Sequence, residues 1–304
     1  MSLRICDRKQ IGVIHATGPD AESFLQGQLS QDIGRATSSL SVLAGWHDAR
    51  GRLQALFRVW RHQDFIAMAT ASEIVSDVTE QLNRYKMRAN LTLTPRDDWR
   101  AVSVLTLPSR SGLDKASEES GKLVFAETLN GVAHNNGFDS IRITQNQHHL
   151  YGPQHAFSGL RLDTNPETTL ALAQADEIRA GIPLIGRALA ARFIPHMLNL
   201  EILNAIAFDK GCYPGQEIIA RTENLGTVKR RARAFALQGA TMAAPGTALI
   251  GAAGEQVGTV VNCAADGDNA CVLLAVVQLD ALSAPLHLEG NLNQPLQKLE
   301  MPFQ

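Results

Sequence analysis

The chain has 304 residues, 45% of them hydrophobic and 19% charged, with a formal net charge of -2. That content supports a sizeable core, in two domains or one elaborated one, and excludes a mainly disordered chain. The near-neutral charge excludes a global pull towards nucleic acid or acidic membranes, and no apolar run reaches membrane-spanning length.

In chain order, residues 11–14 read as a short strand. Thr17-Gly18-Pro19-Asp20 reads as a helix start, with Phe24, Leu25 and Leu29 as the inner stripe. Gly27 interrupts that helix at a cost in stability, which points to a close approach by backbone or ligand. Residues 53–60 and 65–69 are strand-like, with 61–64 as the turn. Residues 72–86 carry Ile74, Val75, Val78, Leu82 and Tyr85 near a 3.6-residue period, with Ser72 as N-cap. Strands follow at 91–94, 101–107, 122–126 and 138–144, and the polar stretch 109–121 reads as a loop or short helix. Strands around a helix predict an α+β unit with an antiparallel sheet.

Residues 166–179 form the next predicted helix, stopped by Gly181 and Pro183. Short β runs at 232–237, 248–250, 257–261 and 272–277, with turns at Pro245-Gly246 and 265–268, predict a small terminal β-barrel. Lys229, Arg230, Arg231 and Arg233 form a basic run with two readings. It is a solvated strand edge, or a grip for a carboxylate tail or phosphates.

The four cysteines, Cys6, Cys212, Cys263 and Cys271, contain no C-x-x-C pair. A disulfide framework is not expected, which fits a reducing compartment. The first seven residues carry no signal-peptide core, so a soluble cytoplasmic protein is expected. His47, His148, His149 and His155 have no acidic or thiol partner at ligand spacing. The pair His148-His149 reads as a polar strand end, and no metal site is assigned.

The most informative stretch is Lys210-Gly211-Cys212-Tyr213-Pro214-Gly215-Gln216-Glu217. Pro214-Gly215 suits the centre of a type II turn. A thiol acts as nucleophile or ligand only as thiolate, and Lys210 two residues away would favour that form. Cys212 is therefore the candidate reactive group, with an inert buried cysteine as the other reading. Glu217 and Arg221 lie four apart. They form a surface pair if the segment is helical, and otherwise one of them points into a cavity.

Residues 208–221 resemble the lysine–glycine–cysteine signature of the YgfZ-type folate-binding proteins, in the superfamily of the glycine-cleavage T-protein. Residues 24–33 resemble that family's Leu-Gln-Gly-Gln segment, and 47–52 its Asp-x-Arg-Gly segment. Residues 178–183, 193–195 and 199–200 resemble its later landmarks. The resemblance spans about residues 10–240. It implies a three-module T-protein-like α+β fold around a central cavity. A folate-cavity module would take residues 1–50 and 145–232, a ferredoxin-like module 51–144, and a C-terminal β-barrel 233–304.

The resemblance further implies binding of tetrahydrofolate or a derivative. It implies an accessory role in iron–sulfur cluster assembly or repair, with client or assembly proteins as partners. The link to tRNA modification is indirect, with no direct nucleic-acid or membrane contact. Asp48 would meet the pterin N–H groups, or else form a turn before Gly51. Gln26 and Gln28 would serve the pterin edge or satisfy backbone, and Glu217 and Arg221 are further cofactor candidates. Cys212, supported by Lys210, would take sulfur, iron or a one-carbon group.

Two departures from T-proteins count against aminomethyl transfer. Their acidic pair falls here on Ala55 and Leu56, which cannot exchange protons. Cys212 also stands where they usually have aspartate. Trp46, Trp60 and Trp99 do not fall where some family members place tryptophan near folate. A folate-dependent one-carbon transferase and a non-catalytic scaffold remain the alternatives.

Overall fold

The computed structural model describes residues 2–107, 123–239, 242–267 and 269–303. The chain divides into two compact units. One comprises Met1–Leu25, Ile33–Val42 and Phe57–Ala173; the other comprises Gln26–Asp32, Leu43–Leu56 and Gln174–Gln304.

In chain order the elements begin with β1 (Ser2–Asp7), β2 (Ile11–Thr17) and α1 (Ala21–Gln28). Then come β3 (Val42–His47), β4 (Leu53–His62), β5 (Phe65–Ala71) and α2 (Val75–Tyr85). They continue with β6 (Thr92–Pro95), β7 (Trp99–Leu107), β8 (Val132–His134), β9 (Asp139–Arg142) and β10 (Gln147–Pro153). Two five-stranded sheets result, ordered β1-β7-β10-β9-β8 and β3-β4-β5-β2-β6. All the registered pairings in them are antiparallel, as the α+β reading requires. Helix α2 buries Val75, Val78, Thr79 and Leu82, the i, i+3, i+4, i+7 stripe of an amphipathic helix.

Several local expectations are corrected. Ser72 does not cap α2: it opens a 3-10 turn, and no side chain caps the helix. Tyr85 is exposed rather than part of the stripe. β4 runs through His62, so its turn to β5 is only Gln63 and Asp64. Residues 123–126 are not a strand, and the strand expected at 138–144 shortens to β9. His148 and His149 lie inside β10 and are buried, not at a polar end. The loop expected at 109–121 lies outside the described residues.

The second unit holds α3 (Pro166–Arg179) in part and α4 (Gln216–Leu225). It also holds β11 (Arg230–Gln238), β12 (Ala248–Ile250), β13 (Gln256–Ala265) and β14 (Ala270–Gln278). The last strands are β15 (His287–Leu288), β16 (Asn291–Pro295) and β17 (Gln297–Lys298). Seven strands form one sheet, ordered β16-β15-β12-β13-β14-β11-β17. β16 returns beside β11, so the sheet is nearly closed into the predicted barrel. Its alternating apolar positions feed two clusters. Phe235, Leu249, Val260 and Leu273 fill one. Ala232, Val261, Leu274 and Val276 join Leu53, Leu56, Phe193, Leu200 and Tyr213 in the other. This second cluster supports the segments of the candidate site. Among the described residues, no helix is long and apolar enough to cross a membrane.

Candidate functional site

The loop after Lys210 closes as the sequence predicts. Gln216 N–H donates to the Tyr213 carbonyl at 3.2 Å, and Gly215 has φ 79° and ψ 0°. That is a type II turn, and it leads directly into α4. A Cβ on Gly215 would lie 2.5 Å from the Asp48 carbonyl oxygen and 2.7 Å from the Gly51 Cα. The cysteine loop and the 48–51 turn therefore meet backbone to backbone.

Asp48 builds that second turn. Its Oδ1 accepts from the Arg50 and Arg52 amides, each at 2.9 Å. Its Oδ2 faces Gln54 Nε2 at 3.4 Å. The carboxylate expected to meet a pterin is thus mainly a turn former, and only Oδ2 keeps spare acceptor capacity.

Lys210 is engaged by backbone carbonyls. Its ammonium donates to the carbonyls of Gln26, Leu29 and Gln31 at 2.7, 2.7 and 2.9 Å. An ammonium has three protons, and all three are used. The lysine therefore pins the end of α1 and the residues after it to the cysteine loop. Its Nζ also lies 5.4 Å from the centre of the Tyr213 ring. Burial lowers its pKa to about 8, while the charge of Asp32 opposes that shift.

Cys212 is exposed, unlike Cys6 and Cys271. Glu217 and Arg221 are also exposed, on a segment that is helical. Helix formation is the condition under which the sequence reads them as surface residues four apart. Gln26 bonds Asp32 through its side chain at 3.0 Å. An added Cβ at Gly27 meets nothing within 4 Å, so no backbone approach explains that glycine.

Gln28 behaves differently. Its Oε1 is buried without a hydrogen-bond partner, as are Trp46 Nε1, both His47 ring nitrogens and the Tyr213 hydroxyl. Unpaired buried polar atoms are costly and call for an explanation. His47 and Tyr213 are neighbours, whereas Trp46 precedes His47 in β3 and so faces the other side of the strand. Leu29, beside Gln28, bridges to Trp46, and the His47 and Tyr213 rings lie 6.3 Å apart. Gly45 makes room for the His47 ring, which its Cβ would strike at 2.5 Å. Burial first, then the charge of His196, pushes His47 down to about 3, so it is neutral. Burial raises Tyr213 to about 12, so its hydroxyl keeps its proton. His47 and Tyr213 thus carry neutral polar groups with no protein partner. Of the predicted residues, Gln28 carries one of these unpaired atoms and Lys210 lies over the Tyr213 ring. His47, weighed only as a metal ligand, and Tyr213 were not predicted as ligand contacts, although both sit inside the motif segments.

The basic run has a divided role. Arg231 is paired with Glu201 and bonds Asn199 Oδ1 at 3.2 Å. With Arg233, Lys298, Asn199, Ile202 and Phe303 it lines a cleft of about 410 Å³. Burial and the neighbouring Arg231 charge both lower the Arg233 pKa.

No family model matches this sequence. Among solved structures, the glycine cleavage system aminomethyltransferase T from Bartonella henselae is similar at a TM-score of 0.75 and 15% identity. The match covers 100% of this chain and 86% of that one. A heterotetrameric sarcosine oxidase from Corynebacterium sp. U-96 matches at a TM-score of only 0.35 and 9% identity, over 51% of this chain and 77% of that one. The second likeness is too slight to bear on the fold. The first spans the whole chain, and it follows that this protein has the fold of a glycine-cleavage aminomethyltransferase.

Proposed function

We propose that this protein binds tetrahydrofolate, or a derivative, through the buried polar groups of Gln28, His47 and Tyr213. The observation that carries the reading is their lack of protein partners at the place where three motif segments are locked together. Asp48 Oδ2 would extend the same surface. When bound, the folate would supply carriage of a one-carbon unit on its ring nitrogens. Lys210 would hold the segments in place, and Cys212 would stay accessible beside them.

On this reading the chain is a YgfZ-type accessory factor for iron–sulfur cluster assembly or repair. Its partners are client or assembly proteins, and its effect on tRNA modification is indirect. The three modules at residues 1–50 with 145–232, 51–144 and 233–304 belong to the same proposal. The resemblance of the cysteine motif supports it, as does the exposure of Cys212.

Calorimetric titration of tetrahydrofolate into wild type, Tyr213→Phe and Asp48→Ala tests the ligand. Wild type is expected to bind and Tyr213→Phe to bind more weakly. Absence of heat with wild type removes the assignment. Cys212→Ala should keep folate affinity yet fail to support client cluster enzymes in cells; full support would favour a scaffold.

One-carbon transfer is a second reading, favoured by the aminomethyltransferase fold. Against it, Ala55 and Leu56 are buried and apolar where T-proteins carry their acids. Turnover of a one-carbon donor by the purified chain would establish it.

A further inference from the structure

Three polar side chains meet within the first unit. Asp139 opens β9 and is fully buried. Its Oδ1 lies 2.6 Å from His134 Nδ1, and its Oδ2 lies 2.7 Å from His62 Nδ1. Trp60 Nε1 donates to Oδ2 at 2.7 Å. His134 ends β8 and stands opposite Asp139 in the β8–β9 register, whereas His62 ends β4 in the other sheet. One carboxylate thus gathers two imidazoles from two sheets.

We propose that His62, His134 and Asp139 bind a divalent transition cation of the zinc type, through two Nδ1 atoms and one carboxylate oxygen. The ligand atoms already lie within 4.8 Å of one another. The burial is graded: the Asp139 side chain is 0% exposed, His62 17% and His134 44%. The carboxylate forms a closed floor, and the imidazole of His134 gives the cation access from solvent. Trp60 orients the carboxylate, as outer partners of metal ligands do. The ring of Phe65 stacks on His62 at 4.8 Å and restricts its rotation.

Two nitrogens and one oxygen suit zinc better than magnesium or calcium, which prefer oxygen alone. Three protein ligands leave further positions for water. In the hydrogen-bonded form a ring that is neutral carries its proton on Nδ1, directed at the carboxylate. Coordination moves that proton to Nε2 and gives the Nδ1 lone pair to the metal, with no net change in proton count. Bonds of about 2.0–2.1 Å around a tetrahedral ion set the ligand atoms roughly 3.3 Å apart. The 2.6 and 2.7 Å contacts must therefore open by a fraction of an ångström, which the exposed, strand-terminal His134 can supply.

The test is calorimetric titration of the metal-stripped full chain with Zn²⁺, with Cys212 and Cys263 replaced by serine so that exposed thiols do not compete. One equivalent should bind, and affinity should fall by at least about 100-fold in His62→Gln and in His134→Gln. Because His134 is partly exposed, its variant should fold normally, which its melting temperature without metal will verify. Zn²⁺ should raise the melting temperature of the parent and not of His134→Gln, and Co²⁺ should give ligand-field absorption only in the parent. Equal Zn²⁺ affinity in parent and His134→Gln, or no binding by the parent, overturns the proposal and leaves a purely hydrogen-bonded cluster.

Discussion

Replacing Lys210 with methionine keeps the length of the side chain and removes its charge and three donors. The Gln26, Leu29 and Gln31 carbonyls then lose bonds of 2.7, 2.7 and 2.9 Å at once. A buried acceptor left without a partner costs about 1–3 kcal/mol. Lys210 is only half-buried, so water can reach part of the space it vacates and the three losses should not add. A net loss of about 2–4 kcal/mol is expected on that basis. Guanidinium unfolding reads it as a lower midpoint at unchanged slope. Lys210→Arg should fall between, because a planar fork cannot reproduce a tripod of donors. The pH dependence of Cys212 labelling by an aromatic disulfide should match wild type in folded Lys210→Met. A stability change below about 0.5 kcal/mol, with slower thiol labelling, would refute the clamp and restore thiol activation.

Gly215→Ala should destabilise by at least about 2 kcal/mol, because it combines positive φ with backbone contact. Gly211→Ala, where a Cβ meets nothing within 4 Å, should be near neutral in the same unfolding assay. His47 is held neutral with a pKa of about 3, against 6.5 in the unfolded chain. Between those values the unfolded state binds a proton that the native state refuses. Stability should therefore fall as pH drops from 6.5 towards 3, by up to about 1.4 kcal/mol per pH unit. His47→Phe should remove its share of that slope; an identical slope would show that the ring is not buried as described. Sub-stoichiometric alkylation followed by peptide mass spectrometry should modify Cys212 while sparing buried Cys6 and Cys271, and early labelling of Cys271 would contradict the packing of β14.

The type II turn at Gly215 was legible because proline and glycine dictate dihedrals locally. β11 to β14 were legible as short β runs between turns, β14 as a continuous apolar run, whereas the short strands β15 to β17 were not predicted. What Lys210 does was not legible. A lysine two residues from a cysteine suggests a pair, but its partners are carbonyls 179 to 184 residues away. β3 escaped notice because all six of its residues are buried, so it shows no alternation. β10 escaped because Gln147, His148 and His149 are polar residues inside a sheet, satisfied by neighbours no spacing reveals. His62 is likewise far in sequence from His134 and Asp139, and only the meeting of two sheets brings them together.

The tripod around Lys210 also has a meaning for biosynthesis. Its three acceptors leave the ribosome almost two hundred residues before the ammonium that joins them. Until then the stretch after α1 must wait with its carbonyls bound to water or to a chaperone, and loop closure over that distance is slow. A translation stall just upstream of residue 210 should therefore leave a nascent chain that proteases cut readily near residues 26–32, and release of the stall should seal that site.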